Sequence, residues 1–171
     1  GSKVRVSAHC NTTIGLPGTL SARLQPNHPT DSLDGVVAAI MEGLSYGVGD
    51  AVIGLNPVED TVDNVMKILK KFDELKRKWE IPTQICVLAH VTTQMEAVRR
   101  GAPSDLFFQS VAGSQKGNEA FGISTAMLDE ARELSLKQGT GTGPNVMYFE
   151  TGQGSELSSD SHHGADQVTL E

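Results

Sequence analysis

Short, almost wholly apolar runs alternate with longer stretches of helical periodicity along this chain, and that alternation constrains the fold more than any other feature. The runs are residues 51–55, 85–89, 106–108 and 146–149. A strand that is apolar on both sides must be covered on both faces, as happens in a parallel sheet layered with helices. Residues 3–8 alternate polar and apolar and read as one further strand. Between the runs, Val36, Val37, Ile40, Met41 and Leu44 form an apolar stripe on a helix that Asp31 or Ser32 can cap. Val62, Val65, Met66, Leu69, Phe72 and Trp79 mark one side of a longer helix, with Lys67, Lys70, Lys71, Glu74, Arg77 and Lys78 facing water. Two more helices are predicted over residues 93–100 and 123–137. A β-loop-α order of this kind fits either an open doubly wound sheet or an arc of an eight-stranded barrel. A full barrel needs about 250 residues. With 171 residues, the barrel reading leaves about three strands outside the chain.

Charge narrows the function classes. The net charge of −7 repels nucleic acid and anionic lipid alike. No apolar run approaches the roughly 20 residues of a membrane helix. Cys10 and Cys86 lack CxxC spacing and read as isolated thiols of a reducing, cytoplasmic compartment.

In parallel β/α folds, reactive groups collect just past the carboxyl ends of the strands. The residues at those places are Arg23 with Gln25 in the first loop, then Asn56, His90, Gln109 and Glu150. A row of polar termini beside apolar strands predicts a shared pocket. One guanidinium, one carboxylate and several neutral amides suit a small polar organic substrate better than a phosphate. Gly139 to Gly143 precedes a strand, whereas a dinucleotide loop must follow one. Gly152-Gln153-Gly154 does follow a strand, which fits a close backbone approach to a ligand or a plain tight turn. His90, Glu150, His162 and His163 define a competing reading, a metal-dependent barrel hydrolase or lyase, although their spacing specifies no metal. A scaffold subunit without catalysis is the non-enzyme alternative.

The strings around these polar positions carry a resemblance. They are Arg23-Leu24-Gln25-Pro26-Asn27-His28-Pro29, Gly54-Leu55-Asn56-Pro57-Val58, Val87-Leu88-Ala89-His90-Val91-Thr92-Thr93-Gln94 and Tyr148-Phe149-Glu150-Thr151-Gly152-Gln153-Gly154-Ser155. In this order they resemble the large, catalytic subunit of ethanolamine ammonia-lyase, over residues 4–171. The resemblance implies a (β/α)8 TIM barrel, with residues 1–171 forming part of a single catalytic domain truncated at both ends. It implies adenosylcobalamin (coenzyme B12) as cofactor and radical conversion of ethanolamine to acetaldehyde and ammonia. It also implies a small-subunit partner, a hetero-oligomer with large-subunit self-association, and a cytoplasmic location that extends to bacterial microcompartments.

Carried over residue by residue, the resemblance makes Glu150 and Arg23 catalytic. Glu150 binds the substrate's ammonium and hydroxyl, Arg23 and Asn56 the hydroxyl oxygen, and Gln25 the amino group, with Leu24 inside the same substrate-binding run. Pro57, Gln109 and Ser158 match positions near the corrin. A further substrate-binding aspartate would lie beyond Glu171. Family members retain the cofactor's own base, so Asp160-Ser161-His162-His163-Gly164, whose glycine is one position early for the Asp-x-His-x-x-Gly pattern, reads as coincidence. No protein metal ligand is expected.

Overall fold

The computed structural model describes residues 5–151, 160 and 162–165. Its elements run β1 (Ala8–His9), β2 (Thr13–Ile14), β3 (Arg23–Leu24), α1 (Leu33–Ser45), β4 (Val52–Leu55), α2 (Val62–Lys78), β5 (Ile85–Val87), α3 (Val91–Arg99), β6 (Phe107–Val111), α4 (Gln115–Ala120), α5 (Thr125–Gln138) and β7 (Met147–Thr151). The β-loop-α alternation is present from β3 onward.

The β3, β4 and β5 strands pair in parallel, and so do β6 and β7. Between β5 and β6 the backbone ladder gives way to a side chain. The N–H groups of Asp105 and Leu106 donate to Ile85 O at 3.2 and 3.3 Å. Further along, Gln94 of α3 reaches in: Phe108 N–H donates to its Oε1 at 2.8 Å, and its Nε2 donates to Phe108 O and Ala89 O at 2.6 and 2.7 Å. A buried amide thus replaces the missing strand-to-strand bonds, which would otherwise leave polar backbone orphaned. The described strands form three sheets and close no barrel.

Alternation sorts the strand residues onto two faces. Leu24, Ile53, Leu55, Ile85 and Val87 pack outward against buried Val36, Ile40, Val65, Ile68, Leu69 and Phe72 of α1 and α2. Phe107 and the half-buried Met147 do the same against α3 and α5. Val52, Cys86, Leu88, Leu106 and Phe108 form a cluster on the opposite face, with Tyr148 packed against it. The helix-covered face explains why the runs are apolar throughout. The opposite face carries Arg23 and Glu150 on the same parity.

Several expectations shift. Of the polar–apolar run at residues 3–8, the described residues 5–7 form no strand. Ala8–His9 instead pairs antiparallel with Thr13–Ile14, and the tip of this hairpin is held at the amino end of β5, where Asn11 N–H and Thr12 N–H donate to Gln84 Oε1. The first parallel strand is Arg23–Leu24, read from sequence as loop. Met41 (55% exposed) and Trp79 (38% exposed) leave their predicted apolar stripes, Trp79 because it is the residue that ends α2. The short α4, capped by Ser114 Oγ accepting from Gly117 N–H, gives no helical signal in the sequence because Gly113 and Gly117 flank and interrupt it.

Candidate functional site

Glu150 and Tyr148 lie two residues apart on β7, so both project from the face away from the helices. Arg23 reaches them from β3. Its Nη1 donates to Glu150 Oε2 at 3.0 Å and to the Tyr148 hydroxyl at 2.5 Å, and its Cζ stands 5.9 Å from the centre of the Tyr148 ring. Residues 127 positions apart in sequence are thereby joined. Among the described residues, Glu150 Oε1 and Arg23 Nη2 have no hydrogen-bond partner. The side chains of Arg23 and Glu150 are 31% and 50% exposed, so this pair opens to ligand or water.

Burial by itself would lower the Arg23 pKa, but the hydrogen bonds and negative potential of Glu150 and Tyr148 outweigh it and raise the value. Burial also raises the Tyr148 pKa, with Glu150 adding to the rise and Arg23 opposing it. At neutral pH Arg23 is therefore a guanidinium and Tyr148 a protonated phenol. A cleft of about 540 Å³ runs from Arg23 and Tyr148 toward the amino ends of the strands, past Val52, Gln84 and Leu106, and Glu150 does not line it. Tyr148 was not singled out by sequence reasoning. The signal that could have found it is the period of two: a polar residue two places before Glu150 must share its face.

The other predicted residues take different places. Gln25 is half-buried one residue past β3. Asn56 is exposed one residue past β4, its backbone N–H donating to Asn27 Oδ1 at 2.9 Å. Both stand one residue past a strand end, and among the described residues no hydrogen bond joins either side chain to Arg23 or Glu150. Leu24, 9% exposed, points away from Arg23 into the helix layer. There it lies against Gly43 of α1, where an added Cβ would come within 2.3 Å of Leu24 Cδ1. The substrate-binding role expected for Leu24 is thus open only to its backbone.

Gln109 was expected at a strand end and lies elsewhere. Its side chain, expected near a corrin, is 5% exposed, accepts from Val91 N–H at 2.9 Å and donates to Ser110 O at 3.1 Å. The β6 strand extends two residues beyond Gln109, which therefore sits mid-strand on the helix side, not at a strand end. Pro57 is half-buried at the mouth of the β4–α2 loop. Ser158 and the Gly152-Gln153-Gly154 turn lie outside the described residues.

His90 caps α3. Its Nδ1 pairs with Thr92 Oγ1 at 2.7 Å and its Nε2 with Phe121 O at 3.0 Å, so both ring nitrogens are engaged. His162 Nδ1 lies 3.0 Å from Ala165 O. Among the described residues, no group of three or more His, Cys, Asp and Glu side chains is placed to hold a metal ion.

Comparison with known proteins adds one family. The model described as "Ethanolamine ammonia lyase large subunit" matches residues 1–171. The ethanolamine ammonia-lyase large subunit of Escherichia coli strain K12 is 57% identical over 169 residues, covering 99% of this chain and 37% of that protein. The corresponding subunit of Salmonella typhimurium is 56% identical over 171 residues, covering 100% of this chain and 38% of its own length. The chain therefore spans somewhat over a third of these relatives.

Proposed function

The chain belongs to the ethanolamine ammonia-lyase large-subunit family, and on that premise we propose that it supplies part of the catalytic barrel that deaminates ethanolamine to acetaldehyde and ammonia. The observation that carries the proposal is the half-open Arg23–Glu150 pair. Ethanolamine bears an ammonium at one carbon and a hydroxyl at the next, so it needs an anion and a donor a few ångströms apart. Glu150 Oε1 offers the anion and Arg23 Nη2 the donor. Gln25 accepts from the ammonium through its amide oxygen, and Asn56 donates to the hydroxyl oxygen.

The parallel strands β3 to β7 are then an arc of a (β/α)8 barrel, with the Arg23 face turned inward. A salt link partly withdrawn from water strengthens as the substrate displaces what solvent remains. Binding fixes both ends of a two-carbon chain, so the hydrogen to be removed is presented in one orientation.

Adenosylcobalamin, when bound, supplies the carbon radical that abstracts this hydrogen. The β4–α2 loop fits such a group. Pro57 is half-buried, Val58 is an apolar side chain 60% exposed, and Asn56 adds an amide beside them, a combination that suits the apolar edge and amide fringe of a corrin. Pro57 and Val58 would hold it. Gln109 would contribute through its backbone at most, since its side chain is committed elsewhere. The proposal extends to a small-subunit partner, a hetero-oligomeric assembly, and a cytoplasmic or microcompartment location; no helix among the described residues is long and apolar enough to cross a membrane.

The test is direct. Full-length protein assembled with a small subunit should release aldehyde from ethanolamine only when adenosylcobalamin is present. Turnover without cobalamin, or none with it, overturns the assignment.

A further inference from the structure

We propose that Tyr148 is a positioning residue that keeps the Arg23–Glu150 pair half open for substrate; this rests on the reading above of that pair as the amino-alcohol site. An arginine beside a carboxylate closes naturally into a two-bond fork. Here it does not: a single nitrogen, Nη1, serves both Glu150 Oε2 at 3.0 Å and the Tyr148 hydroxyl at 2.5 Å. The phenol oxygen draws the guanidinium sideways and spares Glu150 Oε1 and Arg23 Nη2.

Tyr148 is itself held in place. Its ring meets Phe108 edge-on at 5.4 Å between centroids and packs against the buried interior cluster. The strand fixes its spacing from Glu150, because residues i and i+2 project side by side. The phenol also has a proton to give. Arg23 is a pure donor, so the Tyr148 hydroxyl must accept from it, and among the described residues its own hydrogen has no acceptor. That hydrogen is available to a ligand hydroxyl oxygen seated on the spare Arg23 Nη2.

The inference is tested with Tyr148→Phe in the full-length protein with its small subunit. Phenylalanine keeps the ring and its contact with Phe108, so the melting temperature should stay within about 2 °C. The KM for ethanolamine, and its Kd by calorimetry without turnover, should each rise about tenfold, with kcat reduced less than KM. In a double-mutant cycle the Arg23→Lys background should absorb most of this effect, since lysine has no fork to hold open. Unchanged KM and Kd in Tyr148→Phe, or full additivity with Arg23→Lys, overturns the role of Tyr148. A parent protein that neither binds nor deaminates ethanolamine sinks instead the reading of the pair, and Tyr148→Phe is interpreted only against an active parent.

Discussion

The two ends of the parallel strands treat their charges in opposite ways. At the amino end, Asp105 is fully buried and saturated. Its Oδ2 accepts from Lys76 Nζ at 2.6 Å and Ile85 N–H at 2.9 Å, and its Oδ1 from Thr140 Oγ1 at 2.6 Å. Gln84 beside it, also fully buried, accepts from the β1–β2 hairpin and donates to Ala51 O. Toward the other end, Glu150 is half exposed and spends one oxygen on Arg23. Burying a charge costs several kcal/mol unless it is fully partnered, so saturation marks a group that serves the fold. A charge left with spare bonding capacity and open to solvent serves something that arrives later.

The largest expected effect breaks the amino end. Asp105→Ala would strand Lys76, only 14% exposed, with Asp73 as its remaining carboxylate at 4.0 Å, and would orphan Ile85 N–H. Losing one partner of a buried pair costs about 3–5 kcal/mol. Urea denaturation of the full-length protein should show that loss. A change under about 1 kcal/mol would mean the network is not structural.

Glu150→Ala should do the reverse. Stability should stay within about 0.5 kcal/mol, as for other exposed side chains. The kcat/KM for ethanolamine should fall by about 10- to 150-fold, equivalent to roughly 1.5–3 kcal/mol for one charged hydrogen bond. Unchanged turnover would remove Glu150 from the site; a large loss of stability would move it into the structural class with Asp105. Arg23→Lys comes next: it keeps the charge but cannot serve Tyr148 and a substrate hydroxyl with a planar fork. About a tenfold loss in kcat/KM is expected, measured in the same assay. A lysine variant as fast as the parent would show that charge alone suffices.

What could be read from sequence follows the same divide. The α2 helix was legible because Val65, Leu69 and Phe72 recur at helical spacing. The β4 and β5 strands were legible because both of their faces are apolar. Arg23–Leu24 was hidden, since a two-residue strand between glycine- and proline-rich loops has no periodicity to show. Gln109 reads in the sequence as a strand terminus because the apolar run stops at Phe108, whereas β6 continues to Val111 and Gln109 shares the helix-side parity of Phe107. The Arg23–Glu150 contact itself crosses 127 residues, and no local pattern encodes it. Asp105 gave no signal either, because one acid before a strand looks like any turn residue.

The smallest effect sharpens the comparison most, because Asp31 sits in the loop that follows β3, beside the proposed site, yet behaves like Asp105. It is 4% exposed, accepts from Val58 N–H at 3.0 and 2.8 Å, from Glu59 N–H at 3.2 Å and from Asn64 Nδ2 at 2.7 Å. Burial alone would raise its pKa, but these donors outweigh it and lower the value below the ordinary 3.8. It therefore ties the β3–α1 loop to the Asn56-Pro57-Val58 segment, and saturation, not which end of the strands a group occupies, sorts structure from site. A carboxylate with a depressed folded pKa stabilises fully above its unfolded value and loses that contribution as pH falls through the folded value. Asp31→Asn should cost about 1 kcal/mol at neutral pH, since neutral hydrogen bonds replace charge-assisted ones. Denaturation midpoints of parent and variant should converge as pH drops below about 3.8. Curves that stay parallel down to pH ~2.5 would show that Asp31 acts through packing, and the rule drawn from the two ends would lose its third example.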